Sequence, residues 1–187
     1  MLINVGVSKR HVHLTKETYY DLFGNEELGI RNNLSQPGQF ASTKTVDLKW
    51  NNIIIPHVRI IGPFRNYNQI EIDENDAKFL NILPPRRQSG DLDGSLPITI
   101  IGAYKELTLN SGVILAERHV HMDELTAKEN GFVDKEIVSI YKNDKYIFDA
   151  KIKIAKNAFT ELHIDTKEEQ DFDLHQNEEV SIKKCGK

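Results

Sequence analysis

Ser8-Lys9-Arg10-His11-Val12-His13-Leu14 stands near the start of the chain, and Ala116-Glu117-Arg118-His119-Val120-His121-Met122 stands in its second half. Both read Arg-His-Val-His followed by an apolar residue. Each follows a β-branched or apolar run, Leu2-Ile3-Asn4-Val5-Gly6-Val7 in the first case and Gly112-Val113-Ile114-Leu115 in the second. In an extended segment, side chains at i and i+2 leave the same face about 6–7 Å apart. Each pair therefore presents two imidazoles to one point, while the valine between them faces the other way. Neutral imidazole is the commonest protein metal ligand. A single His-x-His is weak evidence, but four of the chain's 7 histidines fall in these two matching heptapeptides. The duplication predicts one or two bound divalent metals; surface histidines on a repeated structural motif are the alternative.

At 187 residues the chain is one large domain or two small associated ones, long enough to bury a sizeable core. Its 39% hydrophobic and 28% charged content is that of an ordinary globular protein. No apolar run approaches the length needed to span a bilayer, and Asn4, Gly6, Ser8 and Lys9 interrupt any signal-peptide pattern. The expectation is a cytoplasmic protein without a membrane partner. The net charge of −4 gives no indication of nucleic-acid binding. The only cysteine, Cys185, is read as a free surface thiol, so a metal must take nitrogen and oxygen ligands. Lys9, Arg10, Arg59, Arg65, Arg86, Arg87 and Arg118 lie beside the motifs or on turns, a distribution suited to a small anion. For any one of these arginines, a place on a solvated mixed surface is the better reading.

Residues 2–8 read as a strand running straight into His11 and His13. Thr15 caps a helix from Lys16 to Phe23 that closes at Gly24, and Asp123 caps a second from Glu124 to Asn130 that closes at Gly131. A third short helix is expected from about Asn75 to Leu80. Leu34 to Phe40 reads as loop. Strands are expected at 45–49, 53–61, 69–72, 98–101, 105–109, 137–141, 146–154, 158–164 and 180–183. Strands outnumber helices, the helices are short and turns recur closely. The fold class is mainly β with short α-helices, in compact barrels rather than a βαβ sheet. The unit of strand, His-x-His and capped helix occurs twice, which predicts two related, helix-capped β-barrels packed together around a shared metal site.

Four imidazoles suffice for one closed tetrahedral metal, but two metals need further ligands. Glu71 is a candidate because it opposes the apolar Ile70 and Ile72 face. His163 is another, since Leu162 and Ile164 point away from it. For both, a polar strand face in solvent is the alternative. His57 and His175 read as structural or exposed. A metal with an open position does Lewis-acid work or activates bound water or thiolate, and an arginine nearby offers a planar fork for phosphate or carboxylate. No serine-centred elbow, Walker loop or Gly-x-Gly-x-x-Gly is present. Residue chemistry alone leads to a metalloenzyme acting on an anionic substrate.

The strings VGVSKRHVHL, LSQPGQFA, IIGPFR, QIEI, RQSGDLDG, GVILAERHVHM and ELHIDT closely resemble, in order and over essentially the whole chain, the PduL-type phosphotransacylases, or phosphate propanoyltransferases. The resemblance implies interconversion of a short-chain acyl-CoA (acetyl-CoA or propanoyl-CoA) plus phosphate with an acyl phosphate plus CoA. It implies one β-barrel from residues 1–9 joined to 118–187, and another from the central segment, residues 10–117. It further implies two zinc ions, with other divalent metals acceptable to such ligands. His11, His13 and Glu71 would hold one zinc, with a fourth position open to the CoA sulfur; His119, His121 and His163 would hold the other. Arg65 would match the catalytic, phosphate-binding arginine. A homodimer is compatible with the resemblance.

Microcompartment members of the family carry an N-terminal encapsulation extension. This sequence starts at Met1 and enters the first strand at once, so a free cytosolic form is expected. The competing classes are a binuclear metal-dependent hydrolase and a non-catalytic metal-binding module. Amidohydrolase-type barrels also open with His-x-His, but they need about 250 residues and eight strand–helix repeats.

Overall fold

The computed structural model describes residues 1–185. In chain order its first elements are β1 (Leu2–Ser8), β2 (His11–His13), α1 (Lys16–Phe23), β3 (Asn32–Asn33), β4 (Phe40–Trp50), β5 (Ile53–Gly62), β6 (Gln69–Ile72) and α2 (Glu74–Leu80). Then come β7 (Arg86–Arg87), β8 (Leu96–Ile101), β9 (Glu106–Ala116), β10 (His119–Met122) and α3 (Glu124–Asn130). The chain ends with β11 (Ile137–Lys142), β12 (Lys145–Ile154), β13 (Glu161–Asp165), α4 (Thr166–Phe172) and β14 (Glu179–Lys184). The protein is mainly β, as the strand count in the sequence predicts.

Two compact units result. One comprises residues 1–8 and the chain from Arg118 onward, the other Lys9–Glu117. In the first unit six strands close as β1-β13-β10-β12-β11-β14. In the second, β4, β5, β2, β6, β9 and β8 pair in sequence, and β8 returns to β4, so this sheet also closes on itself; β3 and β7 attach outside the ring. Closure removes the exposed sheet edges that a short-stranded fold would otherwise present.

The two barrels are wired alike. In one, β2 runs parallel to β5 and antiparallel to β6; in the other, β10 runs parallel to β12 and antiparallel to β13. The strand before each His pair enters the other barrel. Thus β1 pairs with β13, and β9 pairs with β6. The expectation that residues 2–8 run straight into His11 is corrected here: the extended chain breaks at Lys9-Arg10 and changes unit. Alternating periodicity identifies a strand but carries no information about which sheet receives it.

Alternation sets the faces. Val12 and Ile70 are opposite each other and fully buried in one barrel core, as are Val120 and Leu162 in the other. Burying each such side chain contributes roughly 1.5–3 kcal/mol, which fixes the strand register and directs the flanking histidines to the opposite face.

The motif arginines serve the fold in both units. Arg10 Nη2 lies 3.0 Å from Asp76 Oδ1, and Arg118 Nη1 lies 2.9 Å from Glu168 Oε1. Asp76 and Glu168 occupy the same place in the first turns of α2 and α4, where their backbone N–H groups donate to the capping carboxylates of Asp73 and Asp165. Each arginine therefore ties a His-pair strand to the helix that follows the neighbouring strand. The Arg118 guanidinium also sits 4.5 Å from the Phe148 ring centroid and 5.7 Å from that of Phe172. Arg118→Ala leaves the buried Glu168 carboxylate without its guanidinium and removes the cation–π contacts. It should destabilise the protein by about 2–4 kcal/mol, read as a lowered denaturant midpoint. A shift under about 0.5 kcal/mol would reduce the pair to surface decoration.

Candidate metal centres

The first cluster forms on β2 and β6. Their antiparallel register sets His11 opposite Glu71 and His13 opposite Gln69. Each histidine has one ring nitrogen occupied by a backbone carbonyl: His11 Nδ1 lies 2.8 Å from Lys9 O, and His13 Nδ1 lies 3.3 Å from Ile61 O. A carbonyl only accepts, so Nδ1 carries the proton and Nε2 the lone pair. The two Nε2 atoms are 3.2 Å apart, and Glu71 Oε2 is 3.5 Å from His11 Nε2. Two lone pairs and a carboxylate facing one point repel unless a cation lies among them. Nitrogens about 2.0–2.1 Å from a tetrahedral zinc would themselves stand about 3.3 Å apart, close to the observed spacing. The residues fit a metal on this observation. His13 is 2% exposed, and burial first, then the neighbouring His11 and Arg65, lower its pKa to about 3. Its imidazole is therefore neutral, the form that ligates.

The second cluster forms on β10 and β13, in the register His119 opposite His163 and His121 opposite Glu161. The ring centroids of His119 and His121 are 4.6 Å apart, those of His121 and His163 4.6 Å, and those of His119 and His163 5.2 Å. In each cluster, one potential ligand atom from every member lies within 4.8 Å of the others. The positions of Glu71 and His163 are equivalent, since each is the register partner of the first histidine of its pair.

Arg65 lies near the first cluster. Its backbone N–H donates to Leu14 O at 2.9 Å, which ties the turn after β5 to the end of β2. Its Nη1 donates to Tyr67 Oη at 2.7 Å and Ser89 Oγ at 3.3 Å. Ser89 Oγ also receives Gln69 Nε2 at 2.9 Å, and Gln69 Nε2 donates to Glu71 Oε1 at 2.5 Å. The backbone N–H of Gly90, whose φ of 99° suits glycine, closes the loop on Gln69 Oε1 at 2.7 Å.

The other arginines of the anion reading are engaged elsewhere. Arg10 and Arg118 pair with carboxylates, Arg59 donates to the carbonyls of Ser42 and Thr43, Arg86 pairs with Glu74, and Arg87 pairs with Asp91 and Asp93. Arg65, by contrast, is held by hydroxyls. His57 and His175 are exposed and belong to neither cluster, and Cys185 is an exposed free thiol. Sequence reasoning missed Gln69, Ser89 and Glu161. For Gln69 and Glu161 the available signal was position, two residues before each third ligand and hence on its strand face. Among the described residues, no helix is long and apolar enough to cross a membrane.

Closed barrels, each bearing one cluster of histidine or glutamate side chains that could hold a metal ion, with a guanidinium beside one of them, define a mainly β protein with two candidate metal centres. The profile of the phosphate propanoyltransferase family matches residues 4–175. A phosphate propanoyltransferase of Shewanella putrefaciens is 41% identical over 170 residues, covering 89% of this chain and 81% of the relative. One of Thermotoga maritima is 42% identical over 171 residues with the same coverage. One of Rhodopseudomonas palustris is 37% identical over 184 residues, 96% of this chain and 81% of the relative. The chain belongs to the phosphate propanoyltransferase family and is an acyltransferase.

Proposed function

We propose that the protein interconverts a short-chain acyl-CoA and orthophosphate with an acyl phosphate and CoA, and that it uses two zinc-type ions. The observation that supports this most is the His11 and His13 pair, with imidazole lone pairs turned toward each other and Glu71 beside them, next to an arginine whose guanidinium donates to the hydroxyls of Tyr67 and Ser89. His11, His13 and Glu71 would hold one ion, and His119, His121 and His163 the other. When bound, such ions supply stabilisation of the CoA sulfur as thiolate and Lewis acidity toward an oxygen ligand.

The chain's own groups do the rest. Arg65, steadied by Tyr67 and Ser89, presents its fork to the phosphate oxygens and aligns one of them with the thioester carbonyl. That oxygen forms the bond to the carbonyl carbon as the carbon–sulfur bond breaks. The electron pair leaves with sulfur, and the phosphate proton ends on CoA. A cationic fork within reach of the carbonyl oxygen stabilises the charge that develops there. Cys185 is exposed and outside both clusters, which favours direct attack by phosphate over an acyl-enzyme.

The test is CoA release from acetyl-CoA and from propanoyl-CoA, with and without phosphate. Release that requires phosphate and yields acyl phosphate is expected. Release without phosphate would make the protein a metal-dependent hydrolase, and no release with either thioester would leave a binding module.

A further inference from the structure

The third ligand position differs between the two clusters, and so does its neighbour on the strand. In the first, Glu71 is preceded two residues earlier by Gln69, whose Nε2 donates to Glu71 Oε1 at 2.5 Å. In the second, His163 is preceded two residues earlier by Glu161, whose Oε2 lies 2.8 Å from His163 Nε2. Gln69 and Glu161 hold the same register place, opposite the second histidine of each pair. The chemistry is matched within each pair: a carboxylate is given an amide donor, and an imidazole is given a carboxylate acceptor.

We propose that Gln69 and Glu161 are the positioning residues of the two metal centres, each fixing which atom of its neighbour is offered to the ion. The inference rests on the metal assignment made above. At the first cluster, Gln69 occupies Glu71 Oε1 and leaves Oε2, the oxygen 3.5 Å from His11 Nε2. At the second, a carboxylate only accepts, so neutral His163 carries its proton on Nε2 and its lone pair on Nδ1. Glu161 is 2% exposed. A buried carboxylate is costly to keep charged, so a carboxylate held against an imidazole has a purpose that a leucine at the same place would not serve.

The strand beside it makes room for this arrangement. A Cβ on Gly6 would lie 2.6 Å from Glu161 Cδ and 2.7 Å from its Oε2, closer than real Cβ contacts. Gly6 pairs with His163 across β1 and β13, and its φ falls outside the left-handed region. A side chain at residue 6 would have to displace the Glu161 carboxylate, so the close approach here comes from that carboxylate rather than from backbone conformation. Gly6 therefore becomes a second, independent handle on the same side chain.

The experiment is competition of Zn²⁺ against a calibrated chelator on the full-length protein, together with the visible spectrum of the Co²⁺-loaded form. Glu161→Ala should weaken one of two bound metals by about 10–100-fold and leave the other unchanged, as expected when an outer carboxylate partner of a ligating histidine is removed. Glu161→Gln, of the same shape and still able to accept from His163, should lose less. In both variants the Co²⁺ band intensity should be retained, because the number of ligands is unchanged. Gly6→Ala should weaken the same metal, and adding it to Glu161→Ala should have little further effect. Unaltered affinity of both metals in Glu161→Ala would overturn the inference, as would a Co²⁺ spectrum showing a lost ligand, since Glu161 would then ligate directly. A wild-type protein that binds one Zn²⁺ or none would instead remove the metal assignment itself.

Discussion

His11→Ala should remove one of two metal equivalents and lower phosphate-dependent turnover by about 10³-fold or more, corresponding to about 4 kcal/mol of transition-state stabilisation. The reason lies in register. His11 faces Glu71 across β2 and β6, and its Nε2 lies 3.2 Å from that of His13, so alanine removes one of three converging candidate ligand atoms. The cluster is built wholly from strands of one unit, whereas His119, His121 and His163 come from strands of the other. His121→Ala should therefore also cost one equivalent of metal, and each single variant should keep the metal that the other loses. Elemental analysis of purified protein alongside the turnover assay measures both. The removed side chain is not a major part of either hydrophobic core, where Val12 and Val120 are fully buried, so the thermal midpoint of the metal-free protein should change little. Loss of both metals from either variant would contradict two separately built centres, and full turnover with one metal gone would take that metal out of the reaction.

The legible part of this fold is the part whose cause is local. The caps at Thr15 and Asp123 act over three residues, and the structure has them accepting from Thr18 and Thr126. Helix α3 ends at Gly131 with φ 69°, the conformation that glycine there predicts. The i, i+2 spacing of the histidines is likewise readable without knowing what lies across the sheet. Helix α4 was not among the elements expected from the sequence. It has seven residues and a capping box between Asp165 and Glu168, and its anchor, Arg118, is distant in sequence. Strand β9 was expected at 105–109 only, yet it spans Glu106–Ala116. The paired strands β8, β6 and β7 carry it through to Ala116. Phe40 read as loop, yet β4 starts there, with the ring lying over Gly62, its register partner. The same limit applied to the centres. Glu71 and His163 were candidates from alternation alone, but Gln69 and Glu161 become meaningful only when the cross-strand partner is known.

Arg65→Ala should depress turnover by about 10²–10³-fold and raise the phosphate KM while leaving metal content unchanged. Removing one preorganised donor to a developing oxyanion costs about that much in acyl transfer. The guanidinium of Arg65 is placed by Tyr67 and Ser89, and its charge is among the causes of the low pKa of His13. The acceptors of those hydrogen bonds are neutral hydroxyls and the side chain is half-buried, so truncation should cost the fold little beyond about 1 kcal/mol. That separates Arg65 from Arg118, whose loss takes the guanidinium from a buried carboxylate. Arg65→Lys distinguishes charge from geometry. A lysine keeps the positive charge but not the planar two-pronged fork, so it should recover part of the phosphate affinity and little of the turnover. The same ranking should hold when the reaction is run from acetyl phosphate and CoA, because both directions cross one transition state. Wild-type rates in Arg65→Ala, in either direction, would remove this arginine from the reaction and leave the phosphate without an identified partner among the side chains of the second unit.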